Sequence, residues 1–142
     1  MFKKLLLALW LLLVPEAAFA QLLVQPATTN QPNFGELVST GTFALTNTAV
    51  SVKATSGNLF GVECFNASAA VAYIQIFNTA SGSVVLGTTT PIESYGIPAG
   101  ADFVYESPFG ISYTTAISVA ATTTYNGSTA PATALVCNFH YR

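Results

Sequence analysis

Charge, and basic charge above all, is what this sequence lacks. Only 7% of its 142 residues are charged, and Lys and Arg together number four. Two of these, Lys3 and Lys4, stand at the N-terminus, which leaves Lys53 and Arg142 for the rest of the chain. A protein that binds nucleic acid meets the phosphate backbone with a cluster of Lys and Arg. The sequence therefore predicts no nucleic-acid partner.

A hydrophobic run long enough to span a bilayer is also missing. The apolar run Leu5–Val14 follows the two lysines and falls short of the roughly 20 residues that a membrane helix needs. Ala18 and Ala20 then place small residues three positions and one position before Gln21. This order is typical of a secretory signal peptide. We expect residues 1–20 to be removed, leaving a mature protein that is secreted, periplasmic or at the cell surface, without a stable membrane anchor.

Residues that carry chemistry are scarce. His140 is the single histidine, and no Gly-x-Ser-x-Gly elbow or Asp-rich calcium loop accompanies it. Glu93 and Glu106 would form a glycosidase pair only if the fold brought them together. The sequence predicts a protein that is not an enzyme and has no catalytic residues, cofactor or metal. An enzyme would instead gather His140 with a carboxylate and a hydroxyl in one pocket.

Apolar side chains alternate with Ser, Thr and Asn along much of the chain. This pattern is typical of half-buried strands. It predicts an all-β fold, an antiparallel β-sandwich or jelly roll of about seven to nine strands over residues 49–142. The segment Val71–Phe77 is apolar on both faces except at Gln75, as in a central strand. The expected strands are Ala49–Ala54, Asn58–Asn66, Val71–Phe77, Ser83–Leu86, Ile92–Ile97, Ala101–Glu106, Thr115–Thr122 and Leu135–Arg142.

Turn signals separate these strands. Asn66–Ser68 predicts a hairpin between the second and third strands, and Ser107–Gly110 predicts a turn after Glu106. Phe60 is expected on the same buried side of its strand as Val62. The patterns Asn66-Ala67-Ser68 and Asn126-Gly127-Ser128 also match glycan acceptors, which matter only in a host that glycosylates.

Two cysteines remain, and both fall on the apolar side of a strand. Cys64 shares a side with Val62, and Cys137 shares a side with Phe139. In an exported chain this placement favours one disulfide between Cys64 and Cys137, and two free buried thiols are the alternative.

Residues 21–48 have no clear alternation and contain Pro26 and Pro32. The segment is expected to be either a flexible N-terminal extension or an edge strand of the sandwich. In an assembling protein it would pair with the open sheet edge of a neighbouring subunit.

The tyrosines are the side chains most suited to face a ligand. Tyr95, Tyr105, Tyr113 and Tyr125 lie in or beside turns of the C-terminal half, where β-sandwich carbohydrate modules present rings to sugars. This leaves a glycan partner open as an alternative to a protein partner.

Five stretches carry a resemblance to a known group: 51–61 (SVKATSGNLFG), 73–80 (YIQIFNTA), 87–91 (GTTTP), 97–100 (IPAG) and 111–122 (ISYTTAISVAAT). The pattern resembles small β-sandwich proteins of tailed-phage and environmental viral genomes, taken to be virion decoration or tail-associated subunits. The resemblance implies assembly or surface binding and brings no catalytic residues. Combined with the export signal, it favours a secreted structural or surface-associated protein that acts through protein contacts or self-assembly. A carbohydrate-binding module and a phage virion protein are the alternatives.

Overall fold

The computed structural model describes residues 37–142, so the predicted signal peptide and the first part of the predicted extension lie outside the described residues. Nine strands and one 3-10 turn form this part of the chain, and none of its helices is long and apolar enough to cross a membrane. The strands are β1 (Val38–Ser39), β2 (Phe43–Leu45), β3 (Val50–Lys53), β4 (Gly57–Phe65), β5 (Ala72–Phe77), β6 (Glu93–Ile97), β7 (Asp102–Tyr113), β8 (Ile117–Thr122) and β9 (Leu135–Tyr141).

The strands form two antiparallel sheets, which confirms the predicted all-β sandwich. The first sheet has the order β1-β9-β4-β7, with β2 also paired to β9, and the second has the order β3-β8-β5-β6. Their inward side chains meet in one core that includes Leu59, Val62, Ile74, Val119 and Phe139. We call the two layers the five-stranded sheet and the four-stranded sheet.

Strands β1 and β2 are two pieces of one interrupted edge strand along β9. Val38 pairs with Tyr141 and Phe43 pairs with Cys137, so one extra residue stands between the two pieces. Thr40 joins the pieces, because its backbone N–H donates to the Phe139 carbonyl oxygen and its hydroxyl accepts from the Phe139 N–H, each at 2.9 Å. Val38–Ser39 and Phe43–Leu45, which fall in the predicted extension, are therefore edge strands of the sheet.

The disulfide between Cys64 and Cys137 is present, as predicted. The two residues lie directly opposite each other on β4 and β9, with Cα atoms 4.1 Å apart, and both face the core. The bond thus joins two neighbouring strands of one sheet and closes a loop between residues 73 positions apart.

The outer face of the four-stranded sheet is covered by the loops that follow β5 and β8. Every residue of β8 is buried, including Ser118 and Thr122. The Ser118 hydroxyl donates to the Thr79 carbonyl in the first loop, and Gln75 Nε2 donates to the Gly127 carbonyl in the second at 3.2 Å. Because these loops bury the outward side chains, β5 is a central strand buried on both faces, as its sequence predicts.

The predicted hairpin between the second and third strands is wrong. Strand β4 pairs with β7 and β9, and β5 pairs with β6 and β8, so the chain crosses from one sheet to the other at Asn66. Asn66 is fully buried, and its Nδ2 donates to the carbonyls of Ala70 at 2.9 Å and Ile97 at 2.8 Å. Its Oδ1 accepts from the Ser68 N–H. These hydrogen bonds form an Asx turn. Residue types that are common in hairpin turns thus serve here to connect two different sheets.

Three further local expectations are wrong. Ser81–Ser83 is a 3-10 turn followed by irregular backbone, not part of a strand at Ser83–Leu86. Ser107–Gly110 is not a reversal but a bulge inside β7, because Gly61 pairs with Glu106 and Leu59 pairs with Ile111. That bulge lies opposite Phe60, which is only half-buried, whereas Leu59 takes its place in the core. A bulge changes which side chains face inward, so strict alternation fails there.

Candidate functional site

Three of the four tyrosines singled out from the sequence come together between the sheets. Tyr95 of β6 stacks on Tyr105 of β7 with ring centroids 5.5 Å apart, and the Phe103 ring centroid lies 5.0 Å from that of Tyr95. Tyr113 joins them through Glu93, whose carboxylate accepts from the Tyr95 hydroxyl at 2.9 Å and the Tyr113 hydroxyl at 3.1 Å. We call this cluster the aromatic seam, because it bridges β6 and β7, one edge strand from each sheet.

The seam raises the pKa of two of its phenols. Burial raises the pKa of Tyr95 well above the ordinary value, and the hydrogen bond to the Glu93 carboxylate adds to it. Burial also raises the pKa of Tyr113, with the negative charge of Glu93 as the second cause. Both phenols are therefore held in the protonated form that donates to Glu93.

The seam is packed as a joint between the sheets rather than as an open site. Tyr113 is 1% exposed, so a ligand would reach its ring only by displacing the other members. Glu93 is engaged by two hydroxyls here, whereas Glu106 lies on the outer face of β7, two strand positions beyond Val104. The fold therefore does not bring Glu93 and Glu106 together as a pair of catalytic carboxylates.

Tyr125 lies apart from the seam, over the outer side of the four-stranded sheet. It is 61% exposed and meets Tyr73 edge to face with ring centroids 6.4 Å apart. The Ser94 hydroxyl donates to the Tyr125 carbonyl at 2.7 Å, which fixes the loop that carries the ring. Tyr73 was not among the tyrosines predicted to face a ligand, although a Tyr facing outward from a central strand is a signal for such a pair.

The outer face of the five-stranded sheet is exposed, in contrast to the loop-covered face of the other sheet. We call it the open face. Val136 and Phe65 lie side by side on β9 and β4, and Val104 of β7 is 63% exposed. Glu63 lies directly opposite Val104, and Asp102 lies directly opposite Phe65. Exposed apolar side chains that cluster on a sheet face are typical of a surface that contacts another molecule.

A shallow groove of about 440 Å³ lies beside the bulge of β7. His140 borders it, and His140 Nε2 lies 3.7 Å from Glu63 Oε1. The lining also includes Ser107 and Glu106, but within residues 37–142 no hydrogen bond joins a Ser or Thr hydroxyl to His140. Next to the groove, Phe109 at the tip of the bulge is 89% exposed. The groove is lined by Leu37, Phe60, Gly61, Glu106, Ser107, Pro108 and His140.

The described part of the chain contains no candidate metal site. No group of three or more His, Cys, Asp or Glu side chains there is arranged to hold a metal ion. Both cysteines are used in the disulfide, and none is free.

These features define a small disulfide-bonded β-sandwich protein with one covered and one open sheet face. No family model matches the chain, and no curated protein matches it. Among solved structures, it is similar to a chain from Bacillus endospore appendages, described as a novel family of disulfide-linked pili. The identity is 14%, the match covers 75% of this chain and 89% of the other, and the TM-score is 0.37. The resemblance to viral β-sandwich proteins finds no match here and stays a prediction.

Proposed function

We propose that the mature protein is an exported structural subunit that works without chemistry, through contacts with further copies of itself. The observation that carries the proposal is the open face, where Phe65, Val104 and Val136 are exposed on a regular sheet. Exposed apolar side chains that lie next to each other on a sheet face are a candidate surface for contact with another molecule.

Strand β7 offers a second contact, because it is an edge of the five-stranded sheet. Its first part, Asp102–Glu106, pairs regularly with β4 on one side and has no described strand on the other. Residues 21–36 of another copy are long enough to add a strand of about five residues to this edge. The bulge with Pro108 limits such pairing to the first part of β7, since a bulge and a proline both interrupt a ladder.

The disulfide supports export. Disulfides persist in oxidising compartments outside the cytoplasm. The buried bond between Cys64 and Cys137 therefore agrees with the predicted signal peptide at residues 1–20 and with a secreted, periplasmic or cell-surface location.

The experiment is light scattering coupled to size exclusion on the oxidised mature protein over a range of concentrations. We expect oligomers that dissociate on dilution. The double substitution Val104→Thr and Val136→Thr keeps β-branched side chains but removes apolar surface, and it should weaken the oligomer. Val85→Thr is the matched control, because Val85 is 60% exposed in a loop away from the open face. A wild-type protein that stays monomeric at millimolar concentration would contradict the proposal.

Binding to a glycan is the second candidate, and the pair formed by Tyr73 and Tyr125 favours it. The ring of Tyr73 lies close over Gly96, where a Cβ atom would come within 3.0 Å of it, and Tyr125 stands beside Tyr73 in solvent. Exposed tyrosines at right angles offer apolar faces to a sugar ring. Polysaccharide affinity electrophoresis tests this: retardation of the wild type that Tyr125→Ala abolishes would support a carbohydrate module.

A further inference from the structure

The bulge of β7 holds one aromatic side chain out in solvent. Four residues, 107–110, stand against Phe60 alone, because β4 and β7 pair on both sides of them. Phe109 lies at the tip of this bulge. Its side chain is 89% exposed, which is more than for any other large apolar residue within 37–142. An aromatic ring exposed to this extent is a candidate anchor for another molecule.

The backbone on both sides of Phe109 is restricted. Pro108 has a fixed φ, and Gly110 has φ +70°, a conformation that L side chains rarely adopt. A Cβ atom on Gly110 would lie 3.0 Å from Asn58 and from the Phe60 ring, so the bulge packs closely on β4. A side chain on a restricted backbone loses little further conformational freedom when it binds. The bulge therefore presents Phe109 in a preorganised position.

The groove beside the bulge lies where the open face lacks a side chain. Gly61 of β4 stands between His140 of β9 and Glu106 of β7, its direct partners across the sheet. Leu37 and Pro108 add apolar walls. The groove measures about 440 Å³, and a cavity of about 150 Å³ is enough to hold a benzene ring. The groove therefore has room for one Phe side chain.

The projecting ring and the groove belong to one continuous patch. Pro108 lines the groove and directly precedes Phe109 in the chain. The exposure of Phe109 shows that its ring does not fill the groove of its own molecule. Two copies related by a two-fold axis can instead exchange rings, so that each groove receives the ring of the other copy. Such an isologous contact uses the same patch twice and closes at the dimer.

We propose that two copies of this protein form a two-fold dimer in which Phe109 of each copy enters the groove of the other. The inference rests on the proposed function, because it names the surface and the symmetry of one contact in that assembly. A buried Phe covers roughly 150–250 Å², and the groove that receives it loses a similar area. The exchange of two rings therefore buries roughly 600–1,000 Å² in total.

This buried area is that of a weak dimer, because stable specific interfaces bury about 1,200–2,000 Å². Val104 lies two positions before Glu106 on the outer face of β7 and is 63% exposed, so it extends the apolar surface next to the groove. We expect a dimer that forms at high concentration and dissociates on dilution.

Net charge opposes this contact. The chain after residue 20 has five acidic and two basic side chains, so two copies repel each other. Salt screens this repulsion and leaves the apolar contact in place. The dimer should therefore tighten, or stay unchanged, as sodium chloride is raised, whereas a contact that depends on ion pairs would weaken. A dimer that weakens in salt would contradict the inference.

Two variants of the mature protein each remove one half of the contact. Phe109→Ala removes the ring, and it should weaken association at least about tenfold, because aromatic anchors in a pocket supply much of the affinity of an interface. Leu37→Asp keeps the ring and places a charge in the apolar wall of the groove, and it should weaken association to a similar extent. Tyr125→Ala and Ile92→Asp are the matched controls on exposed residues that do not line the groove, and both should associate as the wild type does.

An equimolar mixture of Phe109→Ala and Leu37→Asp tests the two-fold exchange. A mixed dimer pairs one native ring with one native groove, whereas neither variant alone forms such a pair. The mixture should therefore dimerise more tightly than either variant. Light scattering coupled to size exclusion measures dimerisation, and circular dichroism confirms that each variant is folded.

The outcomes separate this inference from the proposed function. If Phe109→Ala associates as tightly as the wild type, the groove has another occupant, such as residues 21–36, so the ring exchange is overturned and the proposed self-assembly stands. If the mixture is no tighter than its two components, the two-fold exchange is overturned as well. If the wild type never associates, both proposals fail.

Discussion

Removing the disulfide should cost most of the stability of this small domain. Cys64 and Cys137 are 73 positions apart, and closing a loop of that length removes about 4 kcal/mol of unfolded-state entropy at 25 °C. Replacing both residues by Val keeps apolar side chains of similar size at these two buried positions, so the change isolates loop closure from core packing. For a domain of about this size, a loss of 4 kcal/mol lowers Tm by roughly 15 °C or more.

The assay is urea unfolding followed by tyrosine fluorescence, on the oxidised wild type, on the wild type reduced with a phosphine, and on the double Val variant. The reduced protein and the variant should lose similar amounts of unfolding free energy, with similar dependence on urea. A loss below about 1 kcal/mol in both would refute the reasoning, because it would mean that the unfolded chain is not restricted by the bond. A large loss in the variant alone would assign the effect to packing in the core.

Three further outcomes are expected. The folded pKa values of Tyr113 and Tyr95 are both raised above the unfolded value near 10, so the unfolded state releases these protons first. Above pH 10 each of the two phenols should lower stability by about 1.4 kcal/mol per pH unit, and Tyr113→Phe should remove its share of that slope in urea unfolding between pH 9 and 11. Asn66→Ala should cost about 2–4 kcal/mol, because it leaves the buried carbonyls around it unpaired, whereas the exposed Asn126→Ala should change the unfolding free energy by less than about 0.5 kcal/mol. Gly110→Ala should lower the free energy of unfolding by about 1–2 kcal/mol, because Gly110 has φ +70° and a Cβ atom there would come within 3.0 Å of its neighbours. Gly82→Ala is the control, because a Cβ atom on Gly82 would meet no atom within 4 Å. Equal unfolding free energies of the two variants would contradict this explanation.

Strands with a regular alternation of apolar and polar residues were predicted correctly from the sequence. Strand β9 alternates over its whole length, and Cys137 falls on its buried side as the neighbouring Leu135 and Phe139 indicate. The disulfide followed from the same pattern, because both cysteines lie on buried sides of strands in a chain with a predicted export signal. These features depend on residues within a few positions of each other.

Pairing between distant segments was not predictable in this way. Asn66–Ser68 has the composition of a hairpin turn, yet the buried Asn66 amide bonds to Ile97, 31 positions away, and the chain crosses between sheets. The bulge opposite Phe60 likewise depends on the register of β4 against β7. A turn residue indicates the local backbone conformation. It does not indicate which strand will form hydrogen bonds with the strand that follows the turn.

For the candidate surfaces too, the sequence indicated individual residues but not which of them lie together. The sequence indicated Tyr95, Tyr105, Tyr113 and Tyr125 as possible ligand-facing side chains. Only the topology shows that the first three join two edge strands around Glu93. The composition of the open face was likewise not predictable from the sequence, because Glu63 and Val104 become neighbours only through the pairing of β4 with β7.

The position of β9 in the five-stranded sheet has a consequence for when this protein can fold. Strand β9 lies between the edge pieces β1 and β2 on one side and β4 on the other, although it is the last strand of the described residues. The N-terminal part of the chain is synthesised first. Strands β1 and β2 therefore have no partner, and β4 lacks one of its two neighbours, until β9 has been made. Cys64 waits as well, because its partner lies on β9. The five-stranded sheet therefore stays incomplete until β9 has been synthesised.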